Sequence, residues 1–117
     1  MENIEKQRKL KVYQKLKIYY DEPSFGYGVC ERMKRIKRFG SINLACKDMK
    51  MAYSKAWKII KAAEKDLGVT LVTGTTGGVG GGGSKLTTDG EEFLQKFEAF
   101  NFEARQMLDV LAKKHFS

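Results

Sequence analysis

Residues Thr73 to Lys85 read TGTTGGVGGGGSK, and seven of these positions are glycine. Such a run admits three readings: a phosphate-cradling loop, a flexible linker between domains, or the tip of a hairpin. The first fails on order and context. A P-loop needs G-x-x-x-x-G-K-[ST], whereas here Ser84 precedes Lys85. The G-x-G-x-x-G match from Gly78 to Gly83 is trivial in a near-continuous glycine run, and no helix opens at its end. A linker is a poor fit because the glycines lead into one helix rather than a domain. The flanking pieces VTLVT and SKLTT instead read as two strands that can pair across the glycines. At a hairpin tip, glycines such as Gly80 and Gly81 let the backbone come close to another molecule. Thr73, Thr75, Thr76, Ser84 and Lys85 supply donors suited to phosphate oxygens. Composition alone does not separate linker from hairpin; the segment before the run does.

That segment sits in a basic chain. With 117 residues the sequence suits a single domain, and 22 Lys and Arg against 14 Asp and Glu give a formal charge of +8. A surplus of this size favours a polyanionic partner, nucleic acid above all. The two cysteines, Cys30 and Cys46, form no CxxC, and the single histidine, His115, lies near the end of the chain. No zinc site, no bound cofactor and no nucleophile–base pair is expected, so an enzyme is not the reading. Free thiols, no signal peptide and no apolar run near the roughly 20 residues of a membrane span point to a cytoplasmic protein away from the membrane.

From Leu10 to Tyr20 hydropathy alternates. Leu10, Val12, Leu16, Ile18 and Tyr20 share one face, and Lys9, Lys11, Lys15 and Lys17 the other, which predicts a strand over 9–20. DEPSFGYG then breaks the pattern. Val29, Met33 and Ile36 fall on one helical stripe, so a helix is expected over 28–39, stopped by Gly40. Ser41 is a good N-cap for a helix over 41–48. Ala56, Ile59, Ile60, Ala63 and Leu67 form the apolar face of another over 52–67, with Gly68 as its stop. The wing-like hairpin comes next, at 69–87, and then a long helix at 88–115. On that last helix Phe93, Phe97, Phe100, Ala104, Met107 and Leu111 recur at spacings of four and three, a heptad seam that predicts pairing with a second copy of the chain.

The pair 41–48 and 52–67 has the form of a helix-turn-helix. Small Ala45 and Cys46 stand where the first helix must approach the second, and Met49, Met51, Ala56 and Ile59 fill inward positions. Such a unit presents the N-terminal end of its second helix to the DNA major groove. The outward residues there, Tyr53, Ser54, Lys55 and Lys58, combine hydrogen-bonding and cationic groups able to meet base edges and phosphates. Ser41 and the hairpin residues Thr75, Thr76, Gly80, Gly81 and Lys85 complete the expected contact set. Trp57 is read as packing between this helix and the hairpin. Arg32, Arg35 and Arg38 could reach a phosphate backbone or simply face solvent, and Asp48, Glu64 and Asp66 read as surface charges.

In these segments, FGYG, RMKRIKRFGSINLACKDMKMAYSKAWKIIKAAEKDLG and TGGVGGGGSKLTTDGEEFL, the chain resembles the DNA-binding domain of the molybdate-responsive ModE regulators and, more distantly, the LysR-type winged helix. The resemblance implies a mostly α fold with a small β component (α+β). It implies an N-terminal strand, a glycine-rich wing and a long C-terminal dimerisation helix. It also implies a homodimer bound to double-stranded DNA at an inverted-repeat operator, with molybdate or oxyanion transport genes as candidate targets. Two positions depart from the family pattern: Lys50 stands at the turn where glycine is usual, and Ala52 where a capping serine is usual. The sequence ends at Ser117 without the family's molybdate-binding module, so molybdate binding is not carried over. Three options stand open: a constitutive binder, a separate effector-sensing protein, or control of genes unrelated to molybdenum. The alternative of another class is a dimeric adaptor, or a non-specific DNA binder, on the same fold.

Overall fold

In a computed structural model, described for residues 8–74 and 83–117, the chain folds in the order β1 (Lys17–Ile18), β2 (Phe25–Gly26), α1 (Tyr27–Phe39), α2 (Ile42–Met49), α3 (Tyr53–Leu67), β3 (Val72–Gly74), β4 (Ser84–Leu86) and α4 (Thr88–Phe116). This is the α+β winged arrangement. The apolar stripes of α1–α3 meet at one core, where Phe25, Met33, Ile36, Ile60 and Leu71 are wholly enclosed. Ala45 and Cys46 are buried at the α2 surface facing its neighbours, which keeps the helices close. On α3, Ala56, Ile60 and Ala63 are buried while Ile59 and Leu67 pack at the core's edge.

Helix boundaries follow local chemistry. Gly40 and Gly68 both adopt the left-handed conformation, with φ of 71° and 74°, and each returns its N–H to the carbonyl of the last turn. Ser41 caps α2, its Oγ accepting the Leu44 N–H at 3.3 Å. Lys50 is the sole non-glycine residue with positive φ among the described residues, at 54°. It therefore occupies the left-handed turn position at a cost of about 1–2 kcal/mol. Ala52 has the extended backbone of an N-cap, but no side chain caps α3. Ala52→Ser is accordingly expected to raise the unfolding free energy by about 1 kcal/mol. Urea denaturation would show this as a higher midpoint at unchanged slope; an unchanged midpoint would mean the orphan N–H groups gain nothing from a hydroxyl.

β3 and β4 pair antiparallel, with Val72 opposite Leu86, Thr73 opposite Lys85 and Gly74 opposite Ser84. The hairpin base is fastened twice. The Ser84 N–H donates to the Gly40 carbonyl at 3.0 Å, and the Thr87 N–H donates to the Leu71 carbonyl at 3.0 Å. The first turn of α4 then lies so close to Leu71 that only glycine fits at position 90. A Cβ there would stand 2.2 Å from the Leu71 carbonyl oxygen.

Two expectations are corrected. The strand over 9–20 is reduced to Lys17–Ile18, paired with Phe25–Gly26. A strand needs a neighbour, and β2 offers only two residues before α1 begins. Leu16 and Ile18 still pack against the core, but Leu10, Val12 and Tyr20 are exposed. The heptad seam is also divided. Phe97 is buried, and Phe93 packs on the same core; both rings stand edge-on to Phe25, at centroid distances of 5.1 and 4.6 Å. Phe100, Met107 and Leu111 remain exposed, with Ala104 half-buried between them. The stripe that α4 turns to its own chain runs through Gly90, Leu94, Phe97 and Ala112, rotated from the seam. Helical spacing identifies an apolar stripe but not which surface covers it.

Candidate nucleic-acid interface

α2 and α3, joined across Lys50–Ala52, leave the first turns of α3 facing outward. Tyr53, Ser54, Lys55 and Lys58 are all exposed there. From Tyr53 to Ala63 the helix carries no acid, and its first turn has none. The positive end of the helix dipole adds to the attraction for anions. Among the described residues Lys47, Lys50, Lys55 and Lys58 make no ion pair, so their charge is not neutralised within the chain. Exposed lysines of this kind keep their mobility until a phosphate fixes them.

Trp57 is half-buried and packs against the core. Its ring meets Tyr53 edge-on with centroids 6.3 Å apart, and the Lys61 ammonium lies 5.0 Å from the Trp57 ring centre. The indole thus props Tyr53 from below rather than offering itself for stacking. Lys85 alternates with buried Ser84 and Leu86 on β4, so it projects from the hairpin's outer side. Thr75, Thr76, Gly80 and Gly81 lie outside the described residues. Ser41 caps α2 by accepting the Leu44 N–H, as the sequence predicts, and its hydroxyl hydrogen is still able to donate.

The arginines of α1 divide. Arg35 is held by Asp48 at 2.8 Å and Glu31 at 2.9 Å, and these hydrogen bonds raise its pKa. Arg32 is drawn in beside Cys46, and burial lowers its pKa. Arg38 is exposed, beside the Phe39 ring. Of the three, only Arg38 is placed for solvent or phosphate. Cys30 and Cys46 are free and buried, and burial pushes the Cys30 thiol up to about 11. Among the described residues no group of three His, Cys, Asp or Glu side chains could hold a metal ion, and no helix is long and apolar enough to cross a membrane.

The carboxylates are not idle surface charges. Glu64 Oε2 accepts the N–H groups of Leu71 and Val72 at 2.7 and 3.1 Å, tying α3 to the start of β3. Asp66 accepts three, from Tyr20, Asp21 and Glu22, at 2.8–2.9 Å. It thereby staples the β1–β2 connection to the end of α3. The Glu22 and Tyr20 N–H groups foremost hold the Asp66 carboxyl below its ordinary pKa. A depressed folded pKa stabilises above the unfolded value of about 4 and ceases to do so as pH falls through the folded value. Asp66→Asn should lower the thermal midpoint at pH 7, with the gap from the parent closing below about pH 4. A gap that persists unchanged at pH 3 would show that the ionised carboxylate is not what holds the turn.

Comparison with known proteins agrees with this geometry. Residues 32–91 match the family of bacterial regulatory helix-turn-helix proteins of the lysR type. The chain is 41% identical over 66 residues to the transcriptional regulator ModE of Haemophilus influenzae, a match taking in 56% of this chain and 26% of that protein. It is 33% identical over 82 residues to the molybdenum transport protein ModE of Azotobacter vinelandii, covering 70% and 30% respectively. The chain thus spans less than a third of the length of these curated relatives. In fold it resembles the DNA-binding domain of CbnR, solved as a DNA complex, with a TM-score of 0.55 at 21% identity over 74% of this chain and 93% of that one.

Proposed function

The chain belongs to the lysR family of bacterial regulatory helix-turn-helix proteins, a family of regulators and not of enzymes, and from that premise we propose that it is a ModE-like, sequence-specific regulator of transcription that acts on double-stranded DNA. α3 enters the major groove by its N-terminal end. Tyr53, Ser54 and Lys55 reach base edges, Lys58 and Lys85 reach phosphates, and the glycine-rich tip, with Thr75, Thr76, Gly80 and Gly81, runs along the adjoining backbone. A second copy covers the exposed seam of Phe100, Ala104, Met107 and Leu111, so that two recognition helices meet the half-sites of an inverted repeat. The name of the Azotobacter relative supports molybdenum-transport genes as targets.

The observation that carries this reading is the acid-free, outward start of α3, whose lysines make no ion pair among the described residues. Phosphate contacts by Lys58 and Lys85 should give a log–log dependence of the binding constant on salt with slope near −1.8 per protomer. Titrating a duplex by fluorescence anisotropy from low salt upward measures it. A slope near zero would remove the backbone-contact reading altogether.

A further inference from the structure

A line of touching side chains runs along α3 from its outward start to the base of the hairpin. Tyr53, Trp57 and Lys61 recur at intervals of four and Glu64 follows by three, so all lie on one side of the helix. Tyr53 is the first residue of α3, and Ala52 before it offers no side-chain cap. Among the described residues the Tyr53 ring has one aromatic partner, Trp57, met edge-on. Trp57 is fixed from two directions. It packs against the core, and the Lys61 ammonium lies 5.0 Å from its ring centre. Of Lys55, Lys58, Lys61 and Lys65, only Lys61 makes an ion pair among the described residues, with Glu64 Oε1 at 3.0 Å. The other Glu64 oxygen accepts the Leu71 and Val72 N–H groups. The line therefore ends on backbone, at the start of β3.

Each contact is weak alone. An exposed ion pair adds little stability, and a cation over a partly exposed ring only slightly more. Their effect is to take freedom from the side chain beyond. Glu64, its side chain 10% exposed, is held by two backbone donors. It holds Lys61, Lys61 covers Trp57, and Trp57 limits the Tyr53 ring. A side chain discriminates between base edges only while its orientation is fixed by the residues around it. We propose that Trp57 and Lys61 are positioning residues for DNA reading, which touch no base and set the sequence preference of Tyr53 through this line of contacts anchored on β3. The inference rests on the reading of α3 as the helix that enters the major groove. It makes Tyr53 the specificity-determining residue at one base position of each half-site. It also gives Lys61 a role different from that of Lys55 and Lys58, which meet the DNA themselves.

The test uses the full chain and has one arm without DNA and one with it. In the free protein, carbon-13 NMR should find the Lys61 Cε protons upfield of those of Lys55, Lys58 and Lys65, shielded by the Trp57 ring. Trp57→Leu should return them to the range of the other lysines. Lys61 protons at the ordinary position in the parent would overturn the proposal. With DNA, selection from a randomised library should show preference relaxed at one shared base position in Tyr53→Ala, Trp57→Leu and Lys61→Met. The loss should be about fivefold or more in the first two and about two- to threefold in the third. Affinity for random duplex should stay within about twofold of the parent, since no phosphate contact is lost. Tyr53→Ala with Trp57→Leu should relax the preference no further than Tyr53→Ala alone. Trp57→Phe and Lys61→Arg, which keep a ring and a cation in place, should retain the parent's preference. Should Trp57→Leu fail to fold, Lys61→Met, at an exposed position, decides. Equal loss on every sequence, relaxation at different positions, or unchanged preference in Lys61→Met would overturn the proposal and leave α3 as the reading helix. A parent protein without sequence preference would remove the reading of α3 itself, and the proposal with it.

Discussion

Lys55→Ala combined with Lys58→Ala should weaken DNA binding by on the order of 30–150-fold at about 150 mM salt, at about 1–1.5 kcal/mol for each lost contact. Both side chains are exposed, and neither is held by an ion pair among the described residues. Their removal therefore leaves no buried partner stranded. Alanine is at least as good a helix former as lysine, so α3 should stay folded and the melting temperature nearly constant. The salt slope gives a second, independent reading. Each phosphate contact contributes about −0.9, so loss of the Lys58 contact should make the slope shallower by about 0.9, while loss of Lys55 from its base edge should relax sequence preference at that position. Affinity within twofold of the parent, with the slope unchanged, would mean that the start of α3 does not touch DNA.

The second large effect concerns stability, and its sign is the informative part. In a solvent-exposed helix, glycine to alanine stabilises by about 1 kcal/mol. At Gly90 the same change should destabilise by about 3 kcal/mol. The added methyl would meet backbone: the Leu71 carbonyl oxygen at 2.2 Å and its carbon at 3.0 Å. No rotamer relieves that. Either α4 lifts from the strand, or the strand moves and loosens the Thr87 N–H bond to the same carbonyl. The Thr87 hydroxyl, which caps Gly90 and donates to the Thr70 carbonyl, would be displaced too. Against a typical total of about 5–15 kcal/mol, a loss of this size is readily measured by denaturant titration. A more stable Gly90→Ala protein would show that the helix does not approach the hairpin this closely.

What the sequence disclosed and what it hid divide along one physical line. Gly40, Gly68 and Ser41 end and begin helices through atoms a few residues away, so their roles could be read directly; all three act as expected. The stripes of α1 and α3 were legible for the same reason. Asp66 and Glu64 were not. Their partners are backbone N–H groups, which every residue but proline carries, and for Asp66 they lie more than forty residues away. The alternation from Leu10 to Tyr20 promised a strand, but a strand exists only with a neighbour, and β2 supplies two residues. The seam on α4 was visible as periodicity. That Phe93 and Phe97 serve Phe25 within the same chain, while Phe100, Met107 and Leu111 stay outside, is a matter of tertiary placement. Gly90 stood in the family-like LTTDG stretch with no stated reason; the approach of Leu71 provides one.

The most direct test of the central claim is selection of bound duplexes from a randomised DNA library by the purified chain at about 150 mM salt, where non-specific contacts are weakened. The expected result is enrichment of an inverted repeat whose half-sites lie about one helical turn, or a multiple of it, apart. That outcome would establish base reading by α3 and two-fold pairing in one experiment. Enrichment of a single half-site would keep the recognition helix and remove the dimer. Recovery of a pool as random as the starting library would contradict the reading of this chain as a sequence-specific regulator.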